Sequence, residues 1–438
     1  MENQNTKDPL APDYFKKGSL ILFLGVFVGF LADYLFNLTL SNTLSSHEYG
    51  DYKVAYAFAA LASVLILLGG DRVAPRILSA PLSRGDNRCV WEFLRFYLLI
   101  AAGLSLAVII CTAIGGYLHL SSTDLEDHHP LLMMSFVLPL IAVGALLSRV
   151  LQSAKLLALS NLPWRIALPL LKIVLIGAIW ALFAKVELWQ VIASGATAVC
   201  VIIGWQWYKL RQLDLVTIQR APETSGGQHW LKLSVPMMLA MLITLGLNQI
   251  DLFMLELLAQ EHDVGHFAAA ATTAHMLPVA QVTVAGLFLP LIAPAMEQGE
   301  HTARTLFWRG QKLITLVIVT LTLFLIVAGQ WLLSFFGEDF LQAQQALIYL
   351  ISGYAVWALA AFSSTWLQYS HRGTYVVVIG CLTLSIDALC NLWLIPRYSI
   401  NGAAIATLIA MSLAALMTWA AYYWHQVQTR LQSHRPST

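Results

Sequence analysis

Ionisable side chains inside long apolar runs cost roughly 2.5–3.5 kcal/mol each on insertion scales, so each marks a place where a helix faces protein or water. Here they fall into patterns. Asp33, Asn37 and Ser41 recur at i, i+4, i+8 on one helical stripe. Thr244, Asn248 and Asp251 make a second stripe at i, i+4, i+7, and Thr383, Asp387 and Asn391 a third at four-residue spacing. Acid and amide groups so arranged can line a polar path, and a desolvated carboxylate on it can exchange a proton. The same groups can also serve as hydrogen-bonding glue between helices.

The opposite sign is carried by Arg165 and Lys172, seven residues apart and therefore two turns along one face. At ~1.5 Å of rise per residue Lys172 lies about 15 Å into a bilayer, too deep to snorkel, whereas Arg165 stays near the surface. Lys172 therefore calls for either a carboxylate partner, Asp387 or Asp251, or an anionic ligand. Arg72 and Arg76 at i, i+4, with Arg149 and Lys155, form a basic rim that can meet a phosphate or pyrophosphate, though much of this charge also serves topology. Pro236, Pro278, Pro290 and Pro294 bend the apolar runs that hold them, and His275 and Gln281 flank Pro278. No phosphate-binding loop, metalloprotease signature or nucleophile elbow occurs, which points away from an enzyme. The five cysteines share no ligand spacing, so neither a metal nor a disulfide is expected.

What positions these groups follows from composition. Of 438 residues 58% are apolar and only 11% charged, with a mean hydropathy of +0.69. Soluble domains carry roughly 25% charge, so this is a polytopic all-α membrane protein. A formal net charge of +1 gives no footprint for nucleic acid. A crossing needs about 20 apolar residues. Twelve stretches qualify: 18–41, 54–70, 93–118, 131–148, 163–184, 188–208, 233–258, 267–296, 313–335, 343–367, 374–395 and 402–424. With both termini cytoplasmic, 20 of the 25 lysines and arginines fall on the inside, and only Lys53, Lys185 and Arg397 outside, as retention of positive loops requires. The outer loops are short and acidic, as at Asp124, Glu126 and Asp127. The expected organisation is a cytoplasmic N-terminus (1–17), six spans (18–208), a cytoplasmic linker (209–232), six more spans (233–424) and a cytoplasmic tail (425–438).

The halves echo each other. His47-Glu48-Tyr49-Gly50-Asp51-Tyr52 recurs as His262-Asp263-Val264-Gly265-His266-Phe267, an acidic-x-Gly-x-aromatic turn 215 residues on, and Leu151-Gln152 recurs as Leu367-Gln368. Six-span repeats are related by an axis along the membrane normal and leave a central cleft that rocking can open to either side.

Lys17-Gly18-Ser19, the Glu48–Tyr52 turn, Leu68-Gly69-Gly70 before Arg72 and Arg76, Ile250-Asp251 followed by Val264-Gly265, and Ile400-Asn401-Gly402-Ala403-Ala404 occur in that order along the whole chain. In this it resembles the polysaccharide-transport (Wzx-type, O-antigen flippase) branch of the MOP superfamily, which also holds MATE drug exporters and the lipid II flippase. The resemblance implies two pseudo-symmetric six-helix bundles in a V. It implies movement of undecaprenyl-pyrophosphate-linked oligosaccharide across a bacterial inner membrane by alternating access, with no cofactor beyond a coupling H+ or Na+. Arg72, Arg76, Arg149, Lys155, Arg165 and Lys172 become headgroup contacts, and Asp33, Asn37, Asn248, Asp251, His275, Asp387 and Asn391 the coupling and cavity-lining set. Membrane lipids, a polysaccharide polymerase and glycosyltransferases are the expected partners. Basic residues deeper than the rim are few, essentially Lys172, so a MATE-like cation-coupled exporter of small molecules is the alternative, and a non-transporting scaffold for envelope synthesis a further one. Gly29-Phe30-Leu31-Ala32-Asp33 looks like a major-facilitator signature but lies inside a span instead of the loop that family uses.

Overall fold

The computed structural model describes residues 12–85, 87–120, 130–216, 227–370 and 372–433, and every element among them is helical. The acidic loop with Asp124, Glu126 and Asp127 lies outside these residues, as do Lys7, Arg220 and Arg435. The first half comprises α1 (Pro12–Thr43), α2 (Ser46–Ile66), α3 (Gly70–Ser83), α4 (Arg88–Leu120), α5 (Pro130–Ser135), α6 (Leu138–Ser153), α7 (Leu157–Leu162), α8 (Leu168–Phe183) and α9 (Leu188–Gln212). The second comprises α10 (Gly227–Leu258), α11 (Glu261–Ala274), α12 (Met276–Glu297), α13 (Glu300–Ser334), α14 (Gln344–Tyr369) and α15 (Gly373–Ser433).

Eight of these helices or helix pairs are long and apolar enough to cross a bilayer, and α2 with α3, bent by 47° at their break, makes a ninth. α15 is two helices joined at a kink at Ser399, where φ is 48° and ψ −126°. That conformation costs a non-glycine residue ~1–3 kcal/mol, offset in part by the Ser399 hydroxyl donating to the Asp263 carboxylate. The fold is that of an all-α membrane protein, with eight to nine such spans among the described residues, and α1, α11 and α12 are not among them.

Three boundaries differ from expectation for local reasons. Ser45 and Glu48 form a capping box, so α2 begins eight residues before the apolar run at Val54. The repeated acidic-x-Gly-x-aromatic segments are consequently helical, in the opening turns of α2 and α11. α9 runs to Gln212 and α10 starts at Gly227, so both helices extend into the stretch 209–232.

The halves meet where the repeat is strongest. α2 packs on α11, and α10 on α2 and α3. A Cβ on Gly50 would stand 2.8 Å from the Gly265 backbone nitrogen, and one on Gly265 would overlap the Ser46 carbonyl oxygen. Only glycine allows the backbones so close. At the end opposite the arginines, Asn42 Nδ2 donates to the Phe335 carbonyl at 2.7 Å, and Tyr49 packs edge-on to Phe340 at 5.8 Å.

Candidate functional site: a cationic seam and a buried carboxylate cluster

The early start of α2 changes the chemistry of the seam. Lys53, expected in an outer loop, lies two turns inside α2. Its Nζ donates to Asn37 Oδ1 and to Thr272 Oγ1, each at 3.1 Å, joining α1 and α2 to α11 of the other half. Asn37, 3% exposed, also accepts from the Tyr49 hydroxyl at 3.1 Å and donates to the Asp33 carbonyl at 2.8 Å. Its amide lies 3.3 Å from an Asp33 carboxylate oxygen. Ser41 bonds its own helix, through Leu38 O, and takes no part in the seam.

Lys172, 8% exposed, meets neither Asp387 nor Asp251. Its Nζ lies 3.4 Å from the Tyr52 hydroxyl, 4.8 Å from the centre of the Phe36 ring and 5.4 Å from that of Tyr56. Aromatic faces stabilise a desolvated cation at ~2 kcal/mol or more. Its charged neighbours are Asp33 and the second cation, Lys53. Asp33, Tyr56, Arg165 and Lys172 line one cavity of about 240 Å³ between α1, α2, α8 and α12, and Asp33, Asn37, Lys53 and Lys172 line a smaller one beside it. Asp33 therefore faces an internal space. Arg165 is delivered by a π-helical turn, Pro163–Ala167, against which α1 can pack only through Gly29, whose Cβ would stand 2.9 Å from Arg165 Cβ.

Of the expected rim, Arg72 and Arg149 converge. Arg72 Nε is 2.9 Å from Asp71, Arg149 Nη1 donates to Gln152 at 2.5 Å, and Arg72 and Arg165 both lie within electrostatic reach of Arg149. Arg76 and Lys155 are exposed and line none of these cavities.

The second half gathers carboxylates. Asp251 of α10 accepts from Asn391 Nδ2 at 2.7 Å and from Thr407 Oγ1 at 2.8 Å, both on α15. Asp387, fully buried in the same region, has no hydrogen-bond partner for either carboxylate oxygen, and Asn391 Oδ1 has none. The stripe shared by Thr244, Asn248 and Asp251 does not act as one face. Asp251 is buried against α15, whereas Thr244 and Asn248 are exposed and bonded to their own helix. Thr383 likewise bonds Ile379 O of its own turn. Thr407→Val removes one donor to Asp251 at nearly constant volume, and a buried acceptor left short costs ~1–3 kcal/mol. The variant should melt measurably below the wild type in detergent, and Thr407→Ser should not.

His275, at the break between α11 and α12, connects the clusters. Its Nε2 lies 3.2 Å from the buried Tyr354 hydroxyl, which is within electrostatic reach of Asp251 and Asp387, while Lys53 acts on His275 from the other side. Sequence reasoning missed Lys53, Tyr354, Thr272 and Thr407. The capping-box spacing at Ser45 and Glu48 was the one signal for Lys53. A larger cavity, about 1500 Å³, lies at the end opposite the arginines and is lined by the carboxylates Glu48, Asp51, Glu187 and Glu256, of which Glu48 and Glu187 cap helices. The seam is favoured over it because it sets three cations, Arg165, Lys172 and Lys53, against one carboxylate, Asp33.

A family model described as "Polysaccharide biosynthesis protein" matches residues 15–296. Among curated proteins no significant match was found. Among solved structures, the chain is similar to an inward-facing multidrug resistance MATE family transporter of the MOP superfamily, at 12% identity and a TM-score of 0.74, covering 93% of this chain and 96% of that one. It is similar to the lipid II flippase MurJ in an inward closed conformation, at 15% identity and a TM-score of 0.71, covering 92% and 87%. A MOP superfamily transporter from Pyrococcus furiosus, described as having a binding pocket of reverse polarity, matches at 13% identity and a TM-score of 0.64, covering 96% and 97%.

Proposed function

Because the chain belongs to the polysaccharide biosynthesis protein family, we propose that it is a flippase of the MOP superfamily that moves undecaprenyl-pyrophosphate-linked oligosaccharide from the inner to the outer leaflet of a bacterial inner membrane. Its two halves, 18–208 and 233–424, rock about the seam, and both termini are cytoplasmic. The glycan belongs to an O-antigen or similar surface polysaccharide, made and extended by glycosyltransferase and polymerase partners.

The sign of charge carries this reading. Arg165, Lys172 and Lys53 face the seam against one carboxylate, Asp33. Such a site attracts a diphosphate and repels the cationic drugs that a MATE-like exporter would take. Arg149 and Arg72 extend the positive path to the basic end.

The carboxylate cluster supplies coupling. Three buried oxygens without a donor, beside Asp251, form a site for a hard cation or a proton. Tyr354 and His275 lie between that site and Lys53, so occupancy in one half can alter the charge felt in the other.

Liposomes holding the purified chain and an undecaprenyl-pyrophosphate-linked sugar should deliver the sugar to the opposite leaflet. Arg165→Gln should slow delivery roughly tenfold or more, the loss of one charge-assisted hydrogen bond at ~1.5–3 kcal/mol. Efflux of small cationic dyes with no movement of the lipid-linked sugar would establish the exporter reading instead. Full surface-polysaccharide export by an Asp251→Ala, Lys172→Ala double variant would make the chain a scaffold.

A further inference from the structure

A fourth cavity, of about 150 Å³, lies away from the seam on the flank of the second half, at its basic end. It is walled by Arg304 and Trp308 of α13, Trp366 of α14, and Tyr422, Tyr423 and Gln426 near the end of α15. Its lining is rich in hydrogen-bond donors. Arginine and the tryptophan indole can only donate. Arg304, Trp308, Trp366, Tyr423 and Gln426 have no hydrogen-bond or ion-pair partner among the described residues, although Trp366 is only 5% exposed. An exposed guanidinium and an indole N–H that opens into the notch, neither with an acceptor among the described residues, suit a ligand that brings acceptor oxygens and negative charge.

The surroundings say which ligand. Trp308 is 47% exposed and Tyr423 71%, so the notch opens outward at the end of the spans, where aromatic side chains meet lipid headgroups. Behind it Phe307 stacks on Tyr422 at 4.6 Å and meets Trp366 edge-on at 5.4 Å, giving the donors a rigid base. We propose that this notch binds the phosphate of an anionic glycerophospholipid, with Arg304 and the Trp366 indole N–H donating to its oxygens and Tyr423 and Trp308 flanking its glycerol. The site is separate from the seam and does not depend on what the seam carries.

The full chain, purified in a neutral detergent, is melted with added phosphatidylglycerol, phosphatidylcholine or inorganic phosphate. Retained lipid is counted by native mass spectrometry. Phosphatidylglycerol should raise the melting temperature and persist as an adduct, phosphatidylcholine should do neither, and inorganic phosphate should have little effect. Arg304→Gln and Trp366→Phe, which keeps the ring and loses the N–H, should each remove more than half of the phosphatidylglycerol shift. Arg309→Gln, one residue beyond Trp308 and outside the notch, should keep it. An equal shift from phosphatidylcholine or inorganic phosphate, or a full phosphatidylglycerol shift in Arg304→Gln, would overturn the proposal. If Trp366→Phe unfolds, the Arg304→Gln result decides.

Discussion

Lys53→Met should bind undecaprenyl pyrophosphate roughly ten- to hundred-fold more weakly than the wild type, and should stop delivery of the linked sugar. The ammonium is held between halves, by Asn37 of one and Thr272 of the other. It stands beside Lys172 in a space of about 30 Å³ with a single carboxylate, so a diphosphate admitted there as the halves part gains two ammonium groups at once. Charge-assisted hydrogen bonds contribute ~1.5–3 kcal/mol each, and each ~1.4 kcal/mol is a factor of ten. Lys172→Met should lose a similar amount, and the double variant less than the sum, because both cations act on one anion. Isothermal titration of the purified chain with the isoprenoid diphosphate measures all three. A Lys53→Met chain that melts lower yet binds with unchanged affinity would make Lys53 a strut between the halves and remove it from the binding site.

Why Lys53 escaped sequence reasoning is instructive. Hydropathy places the start of a span where apolar residues begin, at Val54, but a helix starts where its first amides are capped, and Ser45 with Glu48 caps them eight residues earlier. A residue counted as an outer topogenic charge thereby becomes an interior one. Lys172, by contrast, was legible, because depth along a helix follows from rise per residue alone. The pairing of Asp251 with Asn391 and Thr407 was only half legible. Periodicity marked Asp251 and Asn391 as polar in apolar runs, but which helix faces which is tertiary information, and Thr407 bears no mark that separates it from threonines bonded to their own turn. The same limit explains Asn248. It is three residues from Asp251, close enough to share a stripe on a wheel, yet the edge of the contact with α15 runs between them.

The repeat was legible as an echo in sequence, and its physical meaning is tested most severely at Gly265. Gly50 and Gly265, 215 residues apart, approach each other where α2 of one half crosses α11 of the other. A methyl group on Gly265 would overlap the Ser46 carbonyl oxygen, a backbone atom that no rotamer change can move aside. Gly265→Ala should therefore destabilise the chain by at least the ~1–3 kcal/mol typical of overpacking, and displace α11 from α2. Because Thr272 rides on α11 two turns further on, that displacement also draws the Lys53 partner away, so transport should fail in whatever fraction remains folded. Gly50→Ala, which meets the Gly265 nitrogen at 2.8 Å, should show a smaller loss in the same direction. Gly286→Ala is the control: its Cβ meets nothing within 4 Å, so it should melt like the wild type or slightly above, since alanine is the better helix former. Thermal melts in detergent with parallel sugar delivery in liposomes read both effects. A Gly265→Ala chain that melts and transports like Gly286→Ala would mean that the two halves do not cross at these glycines.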